Sequence, residues 1–318
     1  MPDHAASLAD SLLAPRPAAG AIPSPPARGA IPAASPVPVA PPLAAGTSLP
    51  EGAGATRSDF RVVPLQHYAR GGSWRTEAMR AYRRPVLLWF TRGQGRITIS
   101  GTTRGYGAHN AIFLPGGTMH GFEMTGRVFG TLLFFPDDAA LDLPCEPLHL
   151  RFREAALQSE LTLLIDSIRQ EAEADLPGRD RALLHYGGLL SVWLLRQSAS
   201  LPDCRLPDDT AHRLVAAYTA LIERDFHRGR TVAEYAAELG ITSTHLSRVC
   251  NIACGRPASA LLQDRILFEA RRLLRDTDLP VKEIARHLGF ASAAYFTRAF
   301  NRSAGAPPSA FRRASRAE

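Results

Sequence analysis

The chain has 318 residues, 45% of them hydrophobic, with 37 Lys and Arg against 30 Asp and Glu, a formal net charge of +7. That length favours two domains of ordinary size, each able to bury its own core. No apolar run approaches the ~20 residues of a membrane span, and the N-terminus lacks the basic patch and apolar core of a signal peptide, so a cytoplasmic protein without a membrane partner is expected.

Residues 1–57 are rich in Ala and Pro, as in "PSPPARGAIPAASPVPVAPP". Proline blocks helix and sheet ladders, and the apolar residues here keep no period, which predicts a disordered or polyproline-like tail. Residues 58–200 form the first expected domain. From Phe60 to Phe135 short apolar runs alternate with Gly and Pro, and "VLLWFTRGQGRITISGTTRGYGAHNAIFLPGGTMHGFEM" reads as strand, turn, strand, turn, strand. Arg92-Gly93 and Gly116-Gly117 mark tight connections, and strands at this spacing suggest a small barrel or sandwich. Two helices follow. In "ALQSELTLLIDSIRQEAE", Leu157, Leu161, Leu164 and Ile168 share one face. That stripe reads either as packing on the barrel or as a two-fold helix seam. The second helix, "DRALLHYGGLLSVWLLRQ", is apolar on more than one side and reads as buried.

Pro202 and Pro207 mark a linker over residues 201–210, beyond which residues 211–318 read as helices with short turns. This last segment holds 17 Lys and Arg and 10 Asp and Glu, whereas residues 1–210 hold 20 of each. The whole positive excess therefore lies here, which suggests an anionic polymer as target. The four cysteines, Cys145, Cys204, Cys250 and Cys254, are too scattered for a disulfide framework. Cys250 and Cys254 are one helical turn apart, but no second Cys/His pair stands at zinc spacing, so helix packing is favoured over a metal half-site.

The same segment contains one short pattern twice. In the first copy Thr231 and Glu234 form a capping box, Val232, Tyr235, Ala236 and Leu239 make an apolar face, and Gly240 ends the helix. Thr242 then caps "STHLSRVCNI", where Leu246 and Val249 point inward and Thr244, Ser247 and Arg248 point outward. The second copy runs from Val281 to Gly305: Glu283, Ala285, Leu288 and Gly289 match Glu234, Ala236, Leu239 and Gly240. After a turn one residue longer, Phe296, Thr297 and Arg298 match Leu246, Ser247 and Arg248. Pro280 replaces the capping Thr, presetting the first turn without a capping oxygen. Helix, glycine turn and helix with a polar outer face is the helix-turn-helix pattern, and Arg offers guanine a bidentate fork in the major groove. Between the copies, Ala258 to Asp276 reads as one helix of 19 residues, about 28 Å long against ~34 Å for a turn of B-DNA. A rod of that length sets two readers in successive groove segments.

"HLSR", "EARRLL", "EIARHLGF" and "YFTRAF", followed by Gly305, Pro308, Phe311 and Arg312, resemble in order and spacing the DNA-binding domain of the AraC/XylS family of bacterial transcription regulators. The resemblance covers about Ala211 to Arg313, a third of the chain. It implies that Thr244, Ser247 and Arg248 occupy base-reading positions in the first recognition helix, and Ala293, Ala294, Thr297 and Arg298 in the second. Ala293 and Ala294 offer only methyl contacts. Asn251-Ile252 and Asn301-Arg302 stand where members often carry lysine pairs for phosphates. "PGGTMHGFE", Pro115 to Glu123, resembles the second cupin motif, whereas "VLLWFTRGQGRITI" lacks the His-x-His and Glu of the first. One imidazole holds no metal alone, so neither metal, cofactor nor catalytic residue is expected. The barrel then reads as an effector pocket, with Trp74, Arg75, Arg80, Trp89, His120 and Phe122 as candidate lining residues; plain core packing is favoured over ligand contact for each aromatic, while the two are nearly balanced for His120. An Arg among aromatics suits an organic carboxylate, and an imidazole beside it gains charge from a carboxylate partner. "RILFEARRLL" and "NAIFLPGGTMHGFEM" resemble the branch of the family that senses hydroxylated aromatic acids, which implies an aromatic acid.

The fold expected is α+β: a cupin-like barrel with helices, then an all-α double helix-turn-helix. The expected function is a homodimeric, effector-responsive regulator of double-stranded promoter DNA that recruits RNA polymerase, as activator by family resemblance. The alternatives are a regulator without a small-molecule effector and a metal-independent cupin enzyme with a regulatory tail.

Overall fold

The computed structural model describes residues 60–70, 72–136, 141–174, 176–200 and 204–317. The expected tail, residues 1–57, lies outside the described residues. Strand β1 (Arg61–Pro64) leads into two short helices, α1 (Leu65–Tyr68) and α2 (Trp74–Glu77), which the sequence pattern did not announce. The sheet continues with β2 (Val86–Ile99), β3 (Thr102–Tyr106), β4 (Asn110–Leu114), β5 (His120–Phe134) and β6 (Leu148–Arg151). Every pairing is antiparallel, in the order β1-β5-β2-β4-β6, with β3 beside β2.

Two expectations change here. Arg92-Gly93 is not a turn: β2 runs through it as a bulge in its ladder with β5. The expected closed barrel is also not what the pairing forms. Among the described residues no ladder joins β1 to β6: these edge strands, four residues each, pair with one strand apiece, β5 and β4 respectively.

Alternation sorts the sheet into two cores. Val86, Leu88, Phe90, Ile97, Ile99, Ile112, Phe122 and Leu132 face one side. Leu87, Trp89, Ala111, Phe113, Leu133 and Leu150 face the other, where α3 (Ala155–Glu173) and α4 (Arg179–Ser200) cover them. Leu161 and Ile168 are fully buried in that second core, and Leu157 and Leu164 pack against it. Of the stripe's two readings, packing on its own sheet is the one these contacts support, and the two-fold seam is not. Helix α4 is buried along Leu183, Leu190, Trp193 and Leu194 but exposes Leu184, Leu189 and Val192, so the expectation of a wholly buried helix is corrected too.

The linker ends one residue early: Asp209 caps α5 (Thr210–Asp225) by accepting from the His212 amide, and Arg205 bridges back to Leu148. After a 3-10 turn, Phe226–Arg228, come α6 (Val232–Glu238), α7 (Ser243–Cys254), α8 (Ala258–Asp276), α9 (Val281–His287), α10 (Ala293–Ala304) and α11 (Pro308–Ala317). The Thr231–Glu234 capping box forms, Thr242 caps α7, and Pro280 supplies no side-chain cap to α9. Cys250 and Cys254 are buried, and burial pushes the Cys250 thiol up to about 12. Among the described residues no helix is long and apolar enough to cross a membrane.

Candidate DNA-binding surface and sensor cluster

Each recognition helix is seated by its apolar side. Leu246, Val249 and Cys250 bury α7, and Phe296 and Phe300 bury α10. This leaves Thr244 and Arg248 exposed with Ser247 half-buried, and Ala294 and Arg298 exposed with Ala293 and Thr297 half-buried. Two open depressions lie on this surface. One is lined by Thr244, Ser247, Arg248, Asn251 and Ile252 of α7. The other is lined by Tyr295, Arg298, Ala299 and Arg302 of α10 with Gln263 and Ile266 of α8. Val232 and Ser259 line both, so α7 and α10 present their outer faces on one side of α8.

Much of the basic excess is structural. Asp225, 1% exposed, takes Arg224 at 2.6 Å and Arg230 at 2.8 Å. Arg265 forks onto Glu223 at 2.6 and 3.0 Å, tying α5 to α8. Burial alone would raise the Glu269 carboxyl, but Arg265 and Arg272 hold it down to about 2. The depressions keep cations that these pairs do not use: among the described residues Arg248 meets the His245 ring, at 3.4 Å, and no acid, and Arg298 and Arg302 likewise pair with no acid. The Thr297 hydroxyl donates to the Ala293 carbonyl at 2.8 Å, leaving its oxygen to accept. Ile252, marked in the sequence only as standing at a lysine-pair position, is 67% exposed on this surface, and Tyr295, which the sequence did not single out, is 57% exposed. Tyr295 stands inside the quoted "YFTRAF", and its exposure was the missing information.

The six expected effector residues separate into three groups. Trp89 faces α3, donating to the Thr162 hydroxyl at 3.3 Å and packing on Phe152, on the opposite side of the sheet from Phe122. Trp74 leaves the sheet and packs on Phe268 of α8 and Phe311 of α11, at 5.8 and 6.1 Å between ring centres, with Arg75 beside it. Only Arg80, His120 and Phe122 come together. Arg80 and His120 exchange two backbone hydrogen bonds, at 2.8 and 2.7 Å. A Cβ at Gly121 would meet the Glu77 carbonyl at 2.7 Å, so only glycine lets the end of α2 lie on β5 there.

The Arg80 guanidinium is fully buried. It donates to the Tyr82 hydroxyl at 2.8 Å and to the carbonyls of Thr76 and Ala78 at 2.8 and 3.1 Å. Its carbon lies 5.3–5.8 Å from the rings of Tyr68, Tyr82, Phe122 and Phe268. Among the described residues no carboxylate pairs with it; burial disfavours its charge, but the phenol oxygens of Tyr68 and Tyr82 outweigh that and keep it protonated. His120 departs from expectation: burial and then the Arg80 charge push it down to about 3, so it is neutral at pH 7 and the cation of the cluster is Arg80. Tyr82 was legible two residues along an extended segment from Arg80; Tyr68 and Phe268 had no local signal.

A helix-turn-helix domain model matches residues 235–314. Over 114 residues the chain is 32% identical to the uncharacterized HTH-type transcriptional regulator YfiF of Bacillus subtilis, covering 36% of each. Over 137 residues it is 28% identical to the arabinose operon regulatory protein of Escherichia coli, covering 42% of this chain and 46% of that one. The chain thus spans less than half the length of these two relatives. With the probable transcription factor PqrA of Proteus vulgaris it shares 30% identity over 86 residues, 27% of this chain but 70% of that one. A doubled helix-turn-helix on one rod, with the outer faces of α7 and α10 on the same side and these relatives across it, makes the chain a member of the AraC/XylS family of DNA-binding transcription regulators.

Proposed function

We propose that this regulator docks on promoter DNA through α7 and α10 together and answers to a small organic carboxylate held in its sheet domain. The observation that carries the reading is the shared side of α8 on which both recognition helices open. Nineteen residues of α8 extend about 28 Å, close to the ~34 Å between major-groove segments on one DNA face. Thr244, Ser247 and Arg248 read bases in one segment. Ala293, Ala294, Thr297 and Arg298 face the next, where methyl contacts and one Arg do the reading. The effector side rests on Arg80: its buried guanidinium meets phenol and carbonyl oxygens but no carboxylate among the described residues, and an acid, aromatic to suit the surrounding rings, supplies the matching charge. The protein acts as a homodimer whose occupancy alters recruitment of RNA polymerase, as an activator.

Selection of bound sequences from random DNA with the full chain tests the reading. A defined site is expected, with affinity falling steeply as salt rises. Arg248→Ala should weaken that site by about 1–3 kcal/mol and random DNA much less. Equal losses on both would make Arg248 a phosphate contact, and no sequence preference at all would defeat the promoter reading.

A further inference from the structure

Two polar atoms of the sensor cluster, Arg80 Nη2 and His120 Nε2, are fully buried and meet no hydrogen-bond partner among the described residues. Their demands are opposite. Arg80 Nη2 is a charged donor. His120 Nδ1 lies 2.9 Å from the Thr118 carbonyl, and a carbonyl only accepts, so Nδ1 carries the ring proton and Nε2 of the neutral ring is a bare acceptor. Backbone pairing holds the two residues side by side. A molecule that satisfies both presents a negative acceptor to one and a donor to the other.

Access to these atoms requires a covering group to move. Of the four rings over the guanidinium, Tyr68, Tyr82 and Phe122 belong to the sheet domain. The fourth, Phe268, belongs to α8, the rod between the recognition helices. The same Phe268 ring seats Trp74, whose indole also lies 5.7 and 5.9 Å from the guanidinium carbons of Arg271 and Arg275. Arg80 in turn holds the end of α2 through the Thr76 and Ala78 carbonyls.

We propose that Arg80 and His120 form a two-point site for a small organic acid that also bears a hydrogen-bond donor, and that Phe268 of the DNA-binding module is its cover, displaced when the acid binds. This rests on the effector reading above and adds the recognising atoms and the element that reports occupancy. A carboxylate exchanges the cation–π contact of Phe268 for a charge-assisted hydrogen bond, the stronger of the two. Displacing Phe268 unseats Trp74 and so changes how α8 and α11 rest on the sheet domain.

Calorimetry on the full chain with benzoate and the three hydroxybenzoates tests this. At least one hydroxybenzoate should bind tenfold or more tighter than benzoate. Arg80→Met should abolish binding of all four, and His120→Leu should erase the hydroxyl preference while benzoate still binds. Phe268→Leu and Trp74→Leu, which keep apolar volume but remove the ring, should tighten binding several-fold because the cover no longer competes. In these variants the acid should also lose its effect on affinity for the selected DNA site. If both bind the acid as wild type does while Arg80→Met does not, Phe268 is not the cover and the effector reading stands. If Arg80→Met binds normally, the two-point site is overturned although an effector exists. If none of the four acids binds the wild-type chain, the two-point site is overturned, and the effector reading falls with it only if operator affinity also ignores them.

Discussion

A free histidine gains its proton near pH 6.5, whereas His120 does so at about 3 and His149 at about 4. Burial is the main cause in both; Arg80 adds to it at His120, and Arg151 and Arg104 at His149. As pH falls below 6.5 the unfolded chain takes up protons that the folded chain refuses. Stability is therefore full above that pH and lost progressively toward 4 and 3. Urea unfolding at pH 7 and pH 5 should show a loss on the order of 1–2 kcal/mol for each histidine. A His120→Leu chain should lose less by one such increment. Parallel profiles for the two chains would mean that folded His120 protonates near its ordinary value. The residue types at Arg80 and His120 were legible as candidates, but their charges were not, because burial and a neighbouring cation set those.

Both copies of the motif turn on a left-handed glycine, Gly240 with φ 72° and Gly289 with φ 74°. An alanine at either position costs about 1 kcal/mol in backbone strain. Space separates them: a Cβ at 240 meets nothing within 4 Å, while at 289 it meets the backbone nitrogen of Gly229 at 2.3 Å. Gly240→Ala should therefore cost about 1 kcal/mol, and Gly289→Ala markedly more, since the turn after α5 must give way. Chemical denaturation of the two variants decides it, and equal losses would show that this turn yields freely. The extra residue in the second turn also moves the cap: Ser292, unmarked in the sequence reading, accepts from the Tyr295 amide at 3.2 Å where Thr242 serves the first copy. Its signal, a small hydroxyl residue three positions ahead of an aromatic, is weak because the longer turn sets Ser292 three residues after Gly289 where Thr242 stands two after Gly240.

At the scale of the molecule, the helical layer turns Leu163 of α3 and Leu184, Leu189 and Val192 of α4 outward, exposed by 68%, 46%, 58% and 43%. They, and not the buried Leu157–Ile168 stripe, are available to a second copy. In light scattering the wild-type chain should have the mass of a dimer, and Leu189→Asp with Val192→Asp should halve it, because a charge in an apolar seam must be desolvated. A dimer that persists in the double variant places the seam elsewhere.

The doubled helix-turn-helix was readable to within a residue or two because its signals are local: Thr231 with Glu234, the glycines at 240 and 289, and apolar steps of three and four residues act through hydrogen bonds and faces a few positions apart. Alternation in "VLLWF" likewise put Trp89 opposite Leu88 and Phe90. Which of those faces α3 would cover was decided by contacts between segments some seventy residues apart. The same holds for the open sheet, set by which strands pair and which edges stay single, and for Phe268 over Arg80, set by how two modules meet. Local pattern determined the elements and the outward faces of α7 and α10; burial and charge at the junctions, which depend on every packed neighbour at once, were decided only when the chain folded.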